Sequence, residues 1–169
     1  MDYVPLSPKT LSLFGADPSI IKQIASQGRV KIALSEGGVE LEGEGGDEWI
    51  SHQVISAVDA GFPLQKAFKL FNDSFFLEVV DLELAVRNPK SVARYKGRVI
   101  GEGGRAKKTI EELSGAFLSV SGGKVFILGQ FDDLQLAKEA VLQLLEGKMH
   151  STVFSFLEKR NKMRKYSMR

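Results

Sequence analysis

Residues 98–113 read RVIGEGGRAKKTIEEL. An apolar pair ends at Ile100, and Gly101, Glu102, Gly103 and Gly104 follow. Arg105, Lys107 and Lys108 then open a segment that carries Ala106, Ile110 and Leu113 at helical spacing. Glycine reaches backbone angles that other residues resist. The cluster therefore predicts a tight turn between two helices, one over residues 91–100 and one over residues 104–114. A turn that opens directly into a helix exposes backbone N–H groups at the helix start, and such groups attract phosphate. The three cations reinforce that attraction. The spacing is not that of a nucleotide-triphosphate loop, because Gly-x-x-x-x-Gly-Lys-Ser/Thr is absent. The parallel strand-and-crossover context of a dinucleotide fingerprint is missing too.

Downstream, AFLSV (116–120) and KVFILG (124–129) read as strands around Ser121-Gly122-Gly123. Residues 132–146 form an amphipathic helix through Leu134, Ala137, Val141, Leu144 and Leu145, with Asp132 as the expected cap. Upstream, FFLEVVDLELAV (75–86) reads as a strand with a bulge or a mid-strand break, and Asn88-Pro89 ends it. The first half has the same rhythm. A helix in SIIKQIASQG precedes strands VKIAL and VELEG around Gly37-Gly38. A helix over residues 48–60 follows, with Trp49, Val54, Ile55 and Val58 as inward positions. SIIKQIASQGRVKIALSEGGVELEG thus parallels KKTIEELSGAFLSVSGGKVFILG, an internal repeat. The expected fold is α/β in the α+β sense: tandem units, each a three-stranded sheet packed against helices, plus a C-terminal helix. The expected divisions are 1–74, which includes a linker helix (LQKAFKLF), then 75–149, then a basic helix and tail at 150–169.

Composition narrows the class. An apolar fraction of 43% supports a core, and the absence of cysteine excludes disulfides and thiolate metal sites. No apolar run is long enough to cross a membrane, and MDYVPLSPKT does not read as a signal peptide. Residues 1–90 hold eight Lys/Arg against thirteen Asp/Glu, a net of −5. Residues 91–169 hold fifteen against eight, a net of +7. The second half therefore suits a phosphate-rich partner and the first does not.

A four-residue glycine loop between two helices, beside a three-stranded sheet, fits the device with which a KH domain clamps four unpaired nucleotides. In that reading the loop Gly101, Glu102, Gly103 and Gly104, with Arg105, Lys107 and Lys108, holds the RNA backbone. Arg98, Val99, Ile100, Leu118 and Val120 line the groove for the bases. GRVIGEGGRAKKTIEELSG (97–115), followed by VFILGQFDDLQLAKEAVLQLLEGKMHSTVFSFLE (125–158), resembles the two-KH-domain small-subunit ribosome assembly factors, the partner-of-Nob proteins of archaea and eukaryotes. ISAVDAGFPLQKAFKLF, then FFLEVVDL, resembles the segment between their two units. The size resembles the archaeal members. The resemblance implies a non-catalytic RNA-binding protein of the cytoplasm, without a cofactor. The implied partners are single-stranded RNA of the small-subunit rRNA 3′ region, the rRNA-trimming endonuclease and the alpha subunit of initiation factor two. Members of the family usually carry a basic residue within the loop, where Glu102 stands. The first unit's loop falls near Phe14-Gly15-Ala16-Asp17-Pro18, where one glycine remains, Asp17 is acidic and Pro18 lacks an N–H. The first unit is thereby expected to be a scaffold or protein-docking module.

The remaining candidates are weaker. His52 and His150 stand far apart in sequence, and neither belongs to a recognisable catalytic motif. His150, before the last helix, suits a cap or local hydrogen bond. Glu36, Glu40, Glu42, Glu44, Asp47 and Glu48 do not match calcium-loop spacing and read as a solvated acidic face. The tail carries Lys159, Arg160, Lys162, Arg164, Lys165 and Arg169, an auxiliary electrostatic grip on RNA. The rival reading is a protein-interaction adaptor with weak or lost RNA binding, for which Glu102 and the acidic first half speak.

Overall fold

The computed structural model describes residues 1–86 and 88–167, so Arg169 of the basic tail lies outside the described residues. The chain divides into two compact units, Met1–Phe75 and Phe76–Arg169.

The first unit runs β1 (Asp2–Pro5), α1 (Pro8–Ala16), α2 (Pro18–Gly28), β2 (Lys31–Ser35), β3 (Gly38–Glu42), α3 (Gly45–Asp59) and the short α4 (Leu64–Ala67), which passes into a 3-10 turn at Phe68–Phe71. Its sheet is antiparallel with order β1-β3-β2, pairing Val4 with Val39 and Val39 with Leu34. β1 is the third strand expected of this unit, and it is short: four residues with one buried side chain, Val4, leave no alternation by which to place it. With β1 in place the first unit has the order strand, helix, helix, strand, strand, helix.

The second unit repeats that order with two helices added, one after its first strand and one at its end. It runs β4 (Phe75–Asp81), α5 (Leu82–Ala85), α6 (Val92–Ile100), α7 (Arg105–Ser114), β5 (Phe117–Ser121), β6 (Lys124–Gln130), α8 (Phe131–Leu145) and α9 (His150–Ser167). The sheet order is β4-β6-β5, the counterpart of β1-β3-β2. The strand expected over 75–86 ends at Asp81. The Asp81 carboxylate accepts the Glu83 N–H at 3.0 Å and starts a helical turn, while the Leu82 N–H still donates to the Gly123 carbonyl at 2.8 Å. Asp132, expected as a cap, lies in the first turn of α8, and Gln130 occupies the cap position without a side-chain bond.

Helical period decides which side chains enter each core. In α3 the buried positions are Ser51, Val54, Ile55, Ala57 and Val58, and Trp49 lies nearly opposite the centre of that stripe. Trp49 is therefore 63% exposed rather than inward. In the second unit α8 supplies Leu134, Ala137, Ala140, Val141 and Leu144 to a core shared with Val99 of α6, Ile110 of α7, and Leu118 and Ile127 of the sheet. Helix α9 completes that core with Val153 and Leu157, both fully buried.

A polar contact joins the first strand to α3. His52 Nδ1 lies 2.5 Å from an Asp2 carboxylate oxygen, and this hydrogen bond holds the Asp2 carboxyl below its ordinary value. A depressed carboxylate pKa adds stability above the unfolded-state value of 3.8, and that increment is lost as pH falls through the folded value. Both side chains are about one-third exposed. The pair is accordingly worth no more than about 1 kcal/mol. Asp2→Asn should lower stability by up to that amount near neutral pH, with the difference from wild type lost in acid as the carboxyl of the folded protein becomes protonated. Urea denaturation near neutral pH and in acid checks it.

Candidate nucleic-acid interface

Helices α6 and α7 form a hairpin whose tip is the glycine cluster. The Gly101 N–H donates to the Gly97 carbonyl at 2.8 Å and closes α6. Gly101 has φ 77° and ψ 171°, a region essentially reserved for glycine. A Cβ there would also lie 2.6 Å from both the backbone nitrogen and the Cβ of Ala106. The first glycine is thus required twice, by its own backbone and by the close approach of α7. Gly103 (φ 62°) and Gly104 (φ 79°) are left-handed as well, but a Cβ on either would meet open space. The Gly104 N–H donates to the Gly101 carbonyl at 3.1 Å, and the Arg105 N–H donates to Glu102. Among the described residues the N–H groups of Glu102 and Gly103 have no such acceptor, so they remain available at the tip.

The start of α7 is electrostatically unfinished. Gly104 stands at the cap position and offers no side-chain acceptor, and the first turn contains no acidic residue. Arg105, Lys107 and Lys108 add positive charge where the helix dipole is already positive, which disfavours them by a few tenths of a kcal/mol each. Lys107 reaches Glu111 at 3.5 Å, one turn on. Arg105 and Lys108 are exposed and have no ion-pair partner among the described residues. An anion laid against this end answers both the free amides and the cations. Glu102 is exposed and pairs with neither Arg98 nor Arg105.

The five groove candidates occupy different levels. Val99 and Leu118 are 0% and 2% exposed and belong to the core, so they support the surface from beneath instead of lining it. Ile100 and Val120 are half-buried and keep some apolar surface outside. The Arg98 side chain is engaged with the protein itself. One of its terminal nitrogens donates to the Lys148 carbonyl, and its own carbonyl accepts from His150 Nε2 at 2.8 Å. The sequence reading overlooked Gly97. It lies exposed within α6, and a Cβ would meet nothing within 4 Å. Interior glycine costs a helix about 1 kcal/mol relative to alanine. No internal contact requires a glycine there, and its effect is to leave the exposed edge of α6 free of a side chain at this point. The signal was present in the sequence as two glycines four residues apart, Gly97 and Gly101.

The basic tail separates in the same way. Arg164 is committed internally: it bonds Asp133 at 2.5 Å, the Ser114 carbonyl at 2.9 Å and the Leu113 carbonyl at 3.4 Å. It follows Leu157 by seven residues and so lies on the docking stripe of α9. Arg164 is thereby a structural clamp and not a free grip. Arg160 pairs with Glu139 at 3.2 Å and lies over the Phe156 ring. Lys159, Lys162 and Lys165 are exposed and carry no ion pair among the described residues.

The matching turn in the first unit is chemically closed. One residue, Asp17, joins α1 to α2, and its carboxylate accepts the Ser19 N–H at 3.1 Å and the Ser19 hydroxyl at 2.5 Å. Pro18 at the first helical position removes another donor. The protein's own carboxylate therefore occupies the place where α7 leaves its amides uncapped. Among the described residues no group of three or more His, Asp or Glu stands close enough to hold a metal ion.

Residues 76–162 match the model described as eukaryotic type KH-domain (KH-domain type I), in its PNO1 second-domain form. A KH domain-containing protein of Methanocaldococcus jannaschii is 36% identical over 153 residues, which is 87% of this chain and 67% of that protein. The pre-rRNA-processing protein PNO1 of Chaetomium thermophilum is 26% identical over 168 residues, 91% of this chain and 63% of that protein. The chain thus spans about two-thirds of the length of these relatives. A chain in the structure of an a/eIF2alpha–aDim2p–rRNA complex of Pyrococcus horikoshii superposes with a TM-score of 0.83 at 31% identity, covering 95% of this chain and 93% of that one.

The two roles of glycine in the loop are separable by stability. Gly101→Ala should lower unfolding free energy by about 1–3 kcal/mol or more, from the backbone region and the contact with Ala106. Gly103→Ala should cost about 1–2 kcal/mol, from its left-handed backbone alone. Chemical denaturation of both variants checks the order.

Proposed function

Because the chain belongs to the KH-domain PNO1/Dim2p-like family of small-subunit rRNA-processing factors, we propose that it binds unpaired rRNA with its second unit and takes part, without catalysis, in small-subunit maturation. One observation carries the RNA-binding site: the glycine loop leaves the Glu102 and Gly103 amides free, and the α7 that follows begins with no side-chain cap, no acid and three cations, inside a KH framework. Loop amides with Arg105, Lys107 and Lys108 take the phosphates, contacts that position the strand without reading it. Bases lie along the exposed edge of α6 at Gly97, with Ile100 and Val120 as apolar neighbours, and are read there by shape and edge hydrogen bonds. Lys159, Lys162 and Lys165 add a sequence-independent electrostatic contribution.

In this reading the RNA is the 3′ region of small-subunit rRNA and the site of action is the cytoplasm. The endonuclease that trims that end and the alpha subunit of initiation factor two are its protein partners, and the Pyrococcus relative's complex with a/eIF2alpha and rRNA supports the latter. The first unit does not hold phosphate, since Asp17 caps its own helix. Its exposed Trp49 beside Asp47 and Glu48 suits a protein surface instead.

Fluorescence anisotropy with an unpaired RNA over a salt series tests the assignment. Wild type should bind with a steep inverse dependence on salt, and Gly103→Asp should abolish most binding by placing a carboxylate at the tip. Equally weak binding by both proteins would favour a protein-interaction adaptor. Glu102→Lys should tighten binding at low salt, since the Glu102 carboxylate has no internal partner to lose.

A further inference from the structure

Helix α9 is fastened to the loop hairpin at both ends. At its start, His150 Nε2 donates to the Arg98 carbonyl at 2.8 Å, in the last turn of α6. Arg98 answers by donating to the Lys148 carbonyl in the turn before α9. That turn is itself rigid: the Gly147 N–H bonds Leu144 and the Lys148 N–H bonds Gln143, the paired bonds of a Schellman motif. Toward its far end, Arg164 donates to the Leu113 and Ser114 carbonyls, which are left without helical partners where α7 stops, and to the Asp133 carboxylate. Between these points Val153 and Leu157 are fully buried. The two helices that carry the glycine loop are thus held at the ends of a single strut. The first contact lies within three residues of Gly101.

We propose that His150 and Arg164 are positioning residues for RNA binding, through which α9 sets the α6–α7 angle and hence the direction of the free loop amides. This rests on the RNA-binding reading of the same loop. The physical reason is geometric. The loop has three left-handed or glycine-only residues and no side-chain cap, so its tip has little stiffness of its own. The direction of its amides follows from how the flanking helices are held, and binding a strand to a loosened hairpin must first restore that arrangement. The basic residues of α9 then divide by mechanism. Arg164 acts inward by shape, and Lys159, Lys162 and Lys165 act outward by charge.

The experiment compares His150→Ala, Arg164→Met and the combined Lys159→Gln, Lys162→Gln, Lys165→Gln variant in the full chain. The probe is an unstructured RNA of about ten nucleotides. His150→Ala and Arg164→Met should weaken binding several-fold to about tenfold at every salt concentration. Their log–log salt slope should stay parallel to wild type, because no phosphate contact is lost. The lysine variant should flatten the slope instead. Amide hydrogen exchange over residues 101–106 should quicken in the first two variants and stay at the wild-type rate in the third. His150→Gln and Arg164→Lys, which keep a donor and disturb folding least, should recover part of the affinity. Wild-type affinity and wild-type loop exchange in the His150 and Arg164 variants would overturn the proposal, as would a loss of affinity expressed only as a flatter slope. If wild type itself fails to bind the RNA, the RNA-binding reading falls, and the exchange rates alone then decide whether α9 controls the loop.

Discussion

The second unit depends on the approach of Gly101 to Ala106. At that point the ends of α6 and α7 come closer than any side chain on residue 101 would permit, since a Cβ would sit 2.6 Å from the Ala106 backbone nitrogen. The approach compresses the connection between the helices into four residues and points the start of α7 outward. Ala106 and Ile110 can then enter the core while the amides at the tip remain in solvent. A larger connection would let the helices part and would offer side chains or turns to satisfy those amides. The anion-seeking character of the site therefore follows from a packing constraint at one glycine.

The two units make the same point by contrast. They share an element order and a sheet order, β1-β3-β2 and β4-β6-β5. They differ in what finishes the second helix of each pair. Asp17 closes α2 with its own carboxylate, and Gly104 leaves α7 open beneath three cations. One fold thus carries one uncapped, cationic helix start and one that a carboxylate caps, and the difference is a matter of capping chemistry rather than topology. The charge segregation, −5 in residues 1–90 and +7 in residues 91–169, runs in the same direction.

Basic residues near the loop do not form one population. Arg98 and Arg164 turn inward and satisfy carbonyl groups at helix ends and turns, a task that suits a planar guanidinium with several donors. The exposed lysines at 108, 159, 162 and 165 keep their charge in solvent, where it contributes long-range attraction. Reading all of them as phosphate contacts overstates the electrostatic footprint and understates how much of the arginine content builds the scaffold.

Period and punctuation in the sequence determined most of the architecture. The glycine hairpin, the repeated strand–turn–strand, the α8 stripe through Leu134, Ala137, Val141 and Leu144, and the loss of the first unit's loop glycines are all local features, set by backbone allowance and by side-chain spacing. The family resemblance was legible for the same reason, because the motif is contiguous. Tertiary structure fixed the place of β1, the third strand that the repeat requires of the first unit, which has too few residues to show alternation and exists through its pairing with β3. It also decided the depth of Val99 and Leu118, which the apolar pattern marks as inward without saying whether a groove or a core receives them. Above all it decided the partners of Arg98, His150 and Arg164. The carbonyl contacts among them join residues about fifty positions apart, and a charge in a sequence carries no record of the carbonyl that folding brings to meet it.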